Sequence, residues 1–569
     1  MVQFNKKKTL KKYLTKFIKI YYNINKQRIL ELAQIKSLNR LPREVTMKKI
    51  LFLLLALCAS SQGYSDITWS APTAISTALT DASAQAVVID NNNNATAVWV
   101  ENNLIQASIL LSGGSWSAPV TISNPVNTAS TPKLEVDSSG NITAVWIENT
   151  QVVSATHPFG GSWSSISTIS GTGAANISLA MTASGTAVAV WTRSNFVESS
   201  TRISGTWSLV SVLSATNSNN PHVAVSSFGT AMAVWHTISS GSDLIVTNTL
   251  TLSSNTWGAT KNLFSASAAF SHNYPKIALD PNGNAVVAWF RYNFQSSAYQ
   301  NVQVLTSSLT QGAAAWGIPT ILSNAGIRNP ADLTIKLKFD TSGNAIIVWI
   351  NSYDGQVFTP ESSRKLFGGT WALAVLPQLP TLYSFGIDLS LAAGTACLTS
   401  MAWDDISSIQ IINQENDTTN PIQQGWTPIN AFSTGNDNGY PKCALSATGS
   451  TLNAVSLWIH FDGTNNVIHA ASGSDQIITP PSNVSASQSV TNFGVYSDYN
   501  NTITWTASSN PNLIQYDIYR NGVYFAATDT STFSFVDHNA TQGGTVIYGV
   551  AALTADLRQS PIINFTLNP

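Results

Sequence analysis

This chain is short of charge and short of cysteine. Lys, Arg, Asp and Glu together make up only 10% of its 569 residues, and it has three cysteines. So few basic residues, among abundant Ser, Thr, Asn, Gly and Ala, leave no electrostatic footprint for nucleic acid, and 44% apolar residues exclude a disordered chain. Motifs of common enzymes are missing as well: no G-x-S-x-G elbow, H-E-x-x-H pair, Walker loop or C-x-x-C occurs. What charge there is falls unevenly. Residues 1–65 hold 14 Lys/Arg against two acids, Glu31 and Glu44, while the remainder holds 14 against 27, a net of −13.

That asymmetry marks a leader. Met47-Lys48-Lys49, the apolar run Ile50 to Ala59 and then Ser60-Ser61-Gln62-Gly63 read as the three regions of a secretory signal peptide, and the run is too short to span a bilayer. The expected division is a basic extension at 1–46, absent from the mature protein or serving as a targeting segment, and a signal peptide at 47–65. The mature protein then has no transmembrane span and is secreted or held at the cell surface. Cys58 sits where a lipoprotein cysteine would stand, although Leu57 before it is bulky. Cys397 and Cys443, in an oxidising compartment, form a possible disulfide.

What is present in regular supply is tryptophan. Sixteen of the 17 form two interleaved series of eight. One follows A-V-W or a variant (Trp99, Trp146, Trp191, Trp235, Trp289, Trp349, Trp403, Trp458). The other sits mostly in G-x-W-S contexts (Trp69, Trp116, Trp163, Trp207, Trp257, Trp316, Trp371, Trp426). Each member of the second series precedes its partner by 28–33 residues. A fixed period of this length belongs to an architecture whose units bury their apolar faces only against one another.

Each unit reads as four short strands; in the second unit these are Lys133 to Asp137, Ile142 to Glu148, Gln151 to Thr156 and Ser162 to Ile169. Turns such as Asp137-Ser138-Ser139-Gly140-Asn141 and Asp280-Pro281-Asn282-Gly283-Asn284 join strands one and two, and their ligand spacing is too short for calcium. Strand two, as in Ala187-Val188-Ala189-Val190-Trp191, is apolar on both faces and hence covered on both. The expectation is an all-β chain: an eight-bladed β-propeller over 66–476, in which the lone motif at Trp69 completes the last unit, which ends near His469. Burial of each Trp is worth at most about 4–6 kcal/mol, so the rings read as structural.

Past Pro480-Pro481 the rhythm stops. Ile503-Thr504-Trp505-Thr506, Tyr516-Asp517-Ile518-Tyr519-Arg520-Asn521-Gly522 and Val546-Ile547-Tyr548-Gly549-Val550 resemble a fibronectin type III module, which implies a β-sandwich over 477–569 with Tyr548 as its corner tyrosine. The repeats resemble the broad group of secreted bacterial propellers related to sialidases. The sialidase Asp box is not intact, since Asp137-Ser138-Ser139-Gly140 has one residue too many, and the F/Y-R-I-P motif is absent.

Candidate site residues come from two combs. Two residues past each first-series Trp stand Glu101, Glu148, Arg193, Thr237, Arg291, Asn351, Asp405 and His460, all polar: either a functional rim or polar strand ends. Thirteen residues before it stand Lys133, His222, Lys276 and Lys336, with Lys442 following Pro441 in the last unit. These cations attract a carboxylate, sulfate or phosphate, or else pair with rim acids. The longer segment Arg291 to Asn301, with Tyr292, Phe294 and Tyr299, reads as a binding loop together with Tyr353, Asp354, His460, Phe461 and Asp462. No catalytic residue, cofactor or metal ligand set is assigned. The reading is a surface binding or adhesion protein for a glycan or protein ligand, with a glycoside hydrolase or sialidase-like enzyme and a structural envelope protein as alternatives.

Overall fold

The computed structural model describes residues 67–568 except 78, 266–269, 296–297, 329–333, 352–358, 373, 375–382, 393–394, 405–407, 418–429, 432–436, 449–450, 477–478, 511–512, 539, 555–559 and 561, and in some strands only the backbone. The leader therefore lies outside the described residues.

The fold is all β. Among the described residues, eight successive antiparallel sheets of three to five strands occupy the chain from the N-terminal strands to Gln476, an arrangement consistent with propeller blades. Their first strands are Ala82–Ile89, Ala129–Val136, Ala174–Met181, Ser218–Val225, Ser271–Leu279, Ile335–Phe339, Tyr383–Ala392 and Asp437–Thr448. Each first strand packs against the next, and the eighth packs against the first. In the eighth sheet Thr68 and Trp69 pair with Ser474 and Gly473, and Thr73 and Ala74 pair with Ala470 and His469. The start of the described chain thus supplies the outer strand that the last sheet lacks.

The apolar second strands form the cores between sheets. Trp99, Trp146, Trp191, Trp235, Trp289, Trp349 and Trp458 are essentially inaccessible to water. The second series differs: Trp116, Trp163, Trp207, Trp257, Trp316 and Trp371 are half-buried and lie over the edges of those cores. Where a short fourth strand is present, it begins after the Trp or barely includes it.

Turns between strands one and two interlock the sheets. Asp90, Asp137, Asp280 and Asp340 each accept the backbone N–H groups two and four residues on through Oδ1 and hold the turn Asn through Oδ2. Gly140 shows why glycine is needed: its φ is +81°, and a Cβ there would lie 2.8 Å from the Phe159 ring and 2.9 Å from the Asp90 carboxylate of the preceding sheet.

In the second unit, strand one starts at Ala129, four residues earlier than its sequence suggests, because the strand continues through a β-bulge between Ser130 and Lys133. The segment Arg291 to Asn301 is mainly not a loop. Strand two runs to Gln295 and strand three restarts at Ala298, so the extra residues lengthen the hairpin ribbon.

From Ser482 onward two further sheets face each other. One is formed by Ser482–Asn492, Ser497–Thr506 and Ser534–Asp537; the other by Val523–Thr528, Leu513–Arg520, Val546–Thr554 and Ile563–Leu567. Ile503 and Trp505 from one sheet meet Tyr516, Ile518, Tyr548 and Val550 from the other. The Tyr548 hydroxyl donates to Asp537 and accepts from Asn501 Nδ2 at 2.9 Å.

Candidate functional site

The polar comb after the tryptophans serves the core. Glu101 and Glu148 are buried, at 3% and 4% exposure, and each accepts the indole N–H two residues back at 2.9 Å. Their second bonds reach the connection from the preceding sheet: Glu101 accepts the Thr77 N–H at 3.1 Å, and Glu148 accepts Asn127 Nδ2 at 2.8 Å. They therefore staple sheet to sheet and do not form an open rim.

Where the comb position is not acidic, the acid moves across the hairpin. Glu198 faces Trp191 in the ladder and takes its indole N–H at 2.9 Å, and Arg193, the comb residue, pairs with the same carboxylate through Nε at 2.9 Å. Glu361 faces Trp349 and does likewise at 2.7 Å, with Asn351 Nδ2 donating to its other oxygen at 3.1 Å. In the fifth sheet His272 Nδ1 accepts the Trp289 indole at 2.8 Å; burial first, then the Arg291 charge, holds that imidazole down at about 4, so it is a neutral acceptor. Arg291 donates to Gln303 and lies over the Phe270 ring at 4.9 Å, while Tyr292 is buried in the core. His460 stacks on His469 with centroids 4.3 Å apart. Asp405, Tyr353 and Asp354 lie outside the described residues.

The second comb does converge. The first strands wall a central cavity of about 890 Å³ whose lining includes Lys133, Glu135, His222, Lys276, Lys336, Lys338, Asp388 and Cys443. The placement follows from a repeated backbone device. Ala84, Thr131, Asn176, Asn220, Tyr274, Gly386 and Tyr440 each adopt φ of +50° to +62°. Six of them sit in a ladder bulge immediately before Ala86, Lys133, Ser178, His222, Lys276 and Lys442, and the seventh precedes Asp388 by two residues. The bulge re-aims the residue two positions on. Six of these residues, with Lys336, oppose the residue before the first-series Trp, which is why a fixed offset in sequence finds most of them.

Neighbouring sheets are also tied at this level. Ser178 Oγ accepts the Val223 N–H at 3.2 Å, His222 Nδ1 accepts the Ile277 N–H at 3.3 Å, and Asp388 Oδ2 accepts the Cys443 N–H at 3.1 Å. Asp388, Glu135 and Lys338 escape the comb. Asp388 stands fifteen residues before Trp403, and the other two lie two residues beyond Lys133 and Lys336 on the same strand faces.

Burial and like charge together set the electrostatics of the cavity. Lys336 and Asp388 form a salt bridge of 2.6 Å. Burial alone would raise Asp388, but Lys336, Lys442 and the Cys443 N–H together hold it down at about 2. Lys133, Lys276, Lys338 and Lys442 make no salt bridge or side-chain hydrogen bond among the described residues. Burial and then Lys336, Lys133 and Lys442 bring Lys276 down to about 8; Lys336 first and then burial bring Lys442 to about 8. Lys133 is lowered by burial and by Lys336, and His222 well below its usual range by burial and by four lysines. Glu135 is pushed up to about 7 by burial, with Lys338 opposing. The wall can therefore offer several ammonium donors and a neutral imidazole to an anion. Cys443 carries a buried thiol at this wall, and the side chain of Cys397 lies outside the described residues.

Among the described residues no group of His, Cys, Asp and Glu is arranged to hold a metal ion, and no helix is long and apolar enough to cross a membrane. No family model matches the chain, and no curated protein matches it in sequence. Among solved structures, an ulvan lyase of a new polysaccharide lyase family matches with a TM-score of 0.40 and 9% identity, over 72% of this chain and 94% of the lyase. A second polysaccharide lyase gives 0.38 and 9%, over 73% and 94%. An α-L-arabinanase of Penicillium chrysogenum complexed with arabinobiose gives 0.29 and 11%, over 45% and 93%. Likeness this slight carries no argument about the chemistry of the chain.

Proposed function

We propose that this is an exported binding protein, an eight-bladed β-propeller over 66–476 followed by a fibronectin type III module over 477–569, whose central cavity takes an anionic part of a glycan or protein ligand. The observation that carries the reading is the wall of lysines, four of which form no salt bridge among the described residues. Lysines brought this close repel one another, and an anion relieves that repulsion. The seam between Thr68–Ala74 and Asn466–Gln476 supports the closed ring, and the three-plus-four sandwich with its Trp505–Tyr548 core supports the second module. The leader at 47–65 supports export.

Glycan-array binding by the full chain tests this. Acidic glycans should bind in preference to neutral ones, and the doubly substituted Lys133→Ala/Lys276→Ala chain should lose the signal. Equal binding of neutral glycans, unaffected by the substitutions, would remove the cavity as the site.

A glycoside hydrolase reading draws on a different observation. Glu135, pushed up to about 7, and Asp388, held at about 2, place one protonated and one ionised carboxyl group on the same cavity wall. Release of reducing ends from an acidic polysaccharide, abolished by Glu135→Gln, would favour it over simple binding.

A further inference from the structure

We propose that the cavity wall is a seat for a terminal tetrahedral oxyanion, a sulfate or phosphate ester, with the amines of Lys133, Lys276 and Lys442 gripping its oxygens from three sides. This rests on the reading of the cavity as the ligand site and goes further by naming the group it takes. The three lysines stand at equivalent bulged positions of the second, fifth and eighth sheets. Because first strands pack in a closed succession, every third sheet places these residues on three different sides of the axis. Lys276 lies within electrostatic reach of both Lys133 and Lys442, and Lys442 within reach of Lys133. Three point-charge donors suit three equivalent oxygens; a carboxylate has only two, in one plane. The fourth lysine at this level, Lys336, is already neutralised by Asp388 at 2.6 Å and so shapes the wall without needing the ligand.

Charge count points the same way. With Lys336 and Asp388 paired, Lys133, Lys276 and Lys442 leave three positive charges at one level, and His222, held neutral, adds none. Binding an anion raises the affinity of Lys276 and Lys442 for their protons, so binding is proton-linked. The groups lining the seat are Lys133 and Glu135 from the second sheet, His222 from the fourth, Lys276 from the fifth, Lys336 and Lys338 from the sixth, Asp388 from the seventh and Cys443 from the eighth, with Lys442 beside them within electrostatic reach of Lys336, Asp388 and Lys133. From pH 6.5 to 9 Glu135 ionises and Lys276 and Lys442 lose protons, so each change weakens the site in the same direction.

Isothermal titration of the full chain with galactose 6-sulfate, glucose 6-phosphate and glucuronate tests the assignment. The sulfate or the phosphate ester should bind at least tenfold more tightly than glucuronate, and Lys276→Met and Lys442→Met should each weaken it at least tenfold while leaving the chain folded by circular dichroism. The two sources separate by pH. Sulfate affinity should fall steadily from pH 6.5 to 9, whereas phosphate affinity should pass through a maximum near neutrality as its own second proton leaves at about 6. Glucuronate binding as tightly as both esters, or ester binding independent of pH, overturns the seat while leaving an anion-binding cavity. Failure of all three probes, together with acidic glycans that bind no better than neutral ones on the array, overturns the cavity reading itself.

Discussion

Replacing Glu148 by alanine removes an acceptor buried in the seam between the first and second sheets, and the size of the loss follows from its partners. The carboxylate takes the Trp146 indole N–H at 2.9 Å, Asn127 Nδ2 at 2.8 Å and the Asn124 N–H at 3.3 Å. Trp146 is fully buried, so its indole would be stranded without a partner, at a cost of about 1–3 kcal/mol. The bond to Asn127 is charge-assisted and its loss adds on the order of 1.5 kcal/mol, partly recovered by water at the edge. A total of roughly 3–4 kcal/mol is expected, read as a lowered midpoint in urea unfolding followed by tryptophan fluorescence. Glu148→Gln keeps one acceptor oxygen but turns an amide donor toward another donor, and should cost roughly half as much. Were Glu148 instead part of an open binding rim, both substitutions would leave unfolding unchanged within about 0.5 kcal/mol and reduce ligand binding. That pattern would refute the role assigned to it.

Four other outcomes are expected. Gly140→Ala should destabilise by about 1–3 kcal/mol in the same assay, because a left-handed φ and two contacts under 3 Å act together. Lys276→Met should raise stability at pH 7 by on the order of 1–2 kcal/mol, water in the cavity moderating the effect. In the intact chain the folded Lys276 releases its proton at about 8 and an unfolded lysine nearer 10.5, so the unfolded state holds more protons between those values. Stability should therefore climb across that window, and the climb should shrink in the variant. Glu135 works in the opposite sense at lower pH: its folded value of about 7 lies above 4.5, so stability should fall from pH 4.5 to 7, and Glu135→Gln should flatten that fall. Tyr548→Phe leaves buried Asp537 and Asn501 short of a partner and should cost about 1–3 kcal/mol in the C-terminal transition of a calorimetric scan.

The repeat was legible because it is written in spacing. Two indole series at a constant offset and an apolar run before each first-series Trp require sheets covered on both faces, and the lone motif at Trp69 matches the strand missing from the last sheet. The lysines were legible for the same reason: residues at one ladder position in similar hairpins keep one distance from the same Trp. The acceptor relay was hidden. Glu148 lies two residues from its indole, Glu198 seven and Glu361 twelve, yet all three reach an equivalent buried N–H, because the latter two lie directly across a hairpin whose length varies. A linear comb therefore leaves a functional rim and a polar strand end open, and does not reveal the acceptor role. The bulges were hidden too, since Ala84, Thr131 and Tyr274 carry no mark of a left-handed backbone. Tyr292 and its neighbours form part of a strand, and the alternation of Phe290, Tyr292 and Phe294 has the period of one.

Those bulges separate what is constant in the molecule from what varies. A non-glycine residue held at φ near +50° costs on the order of 1 kcal/mol, and six first strands accept that cost at the same place. Regular pairing would be more stable and would also form the ladder, so packing alone does not explain the device. Its geometric product is one side chain per strand turned to the axis. Of the residues that follow the bulges, Lys133, Ser178, His222, Lys276 and Asp388 line the cavity and are chemically unlike one another, whereas the second strands beside them are nearly interchangeable runs of Ala, Val and Ile. A scaffold that spends strain to hold a position and then varies its chemistry from sheet to sheet is organised around what the axis contacts. Substituting glycine at Thr131 should relieve the strain and stabilise the sheet without moving Lys133. Substituting Lys133 should leave the bulge in place and change only what the cavity attracts.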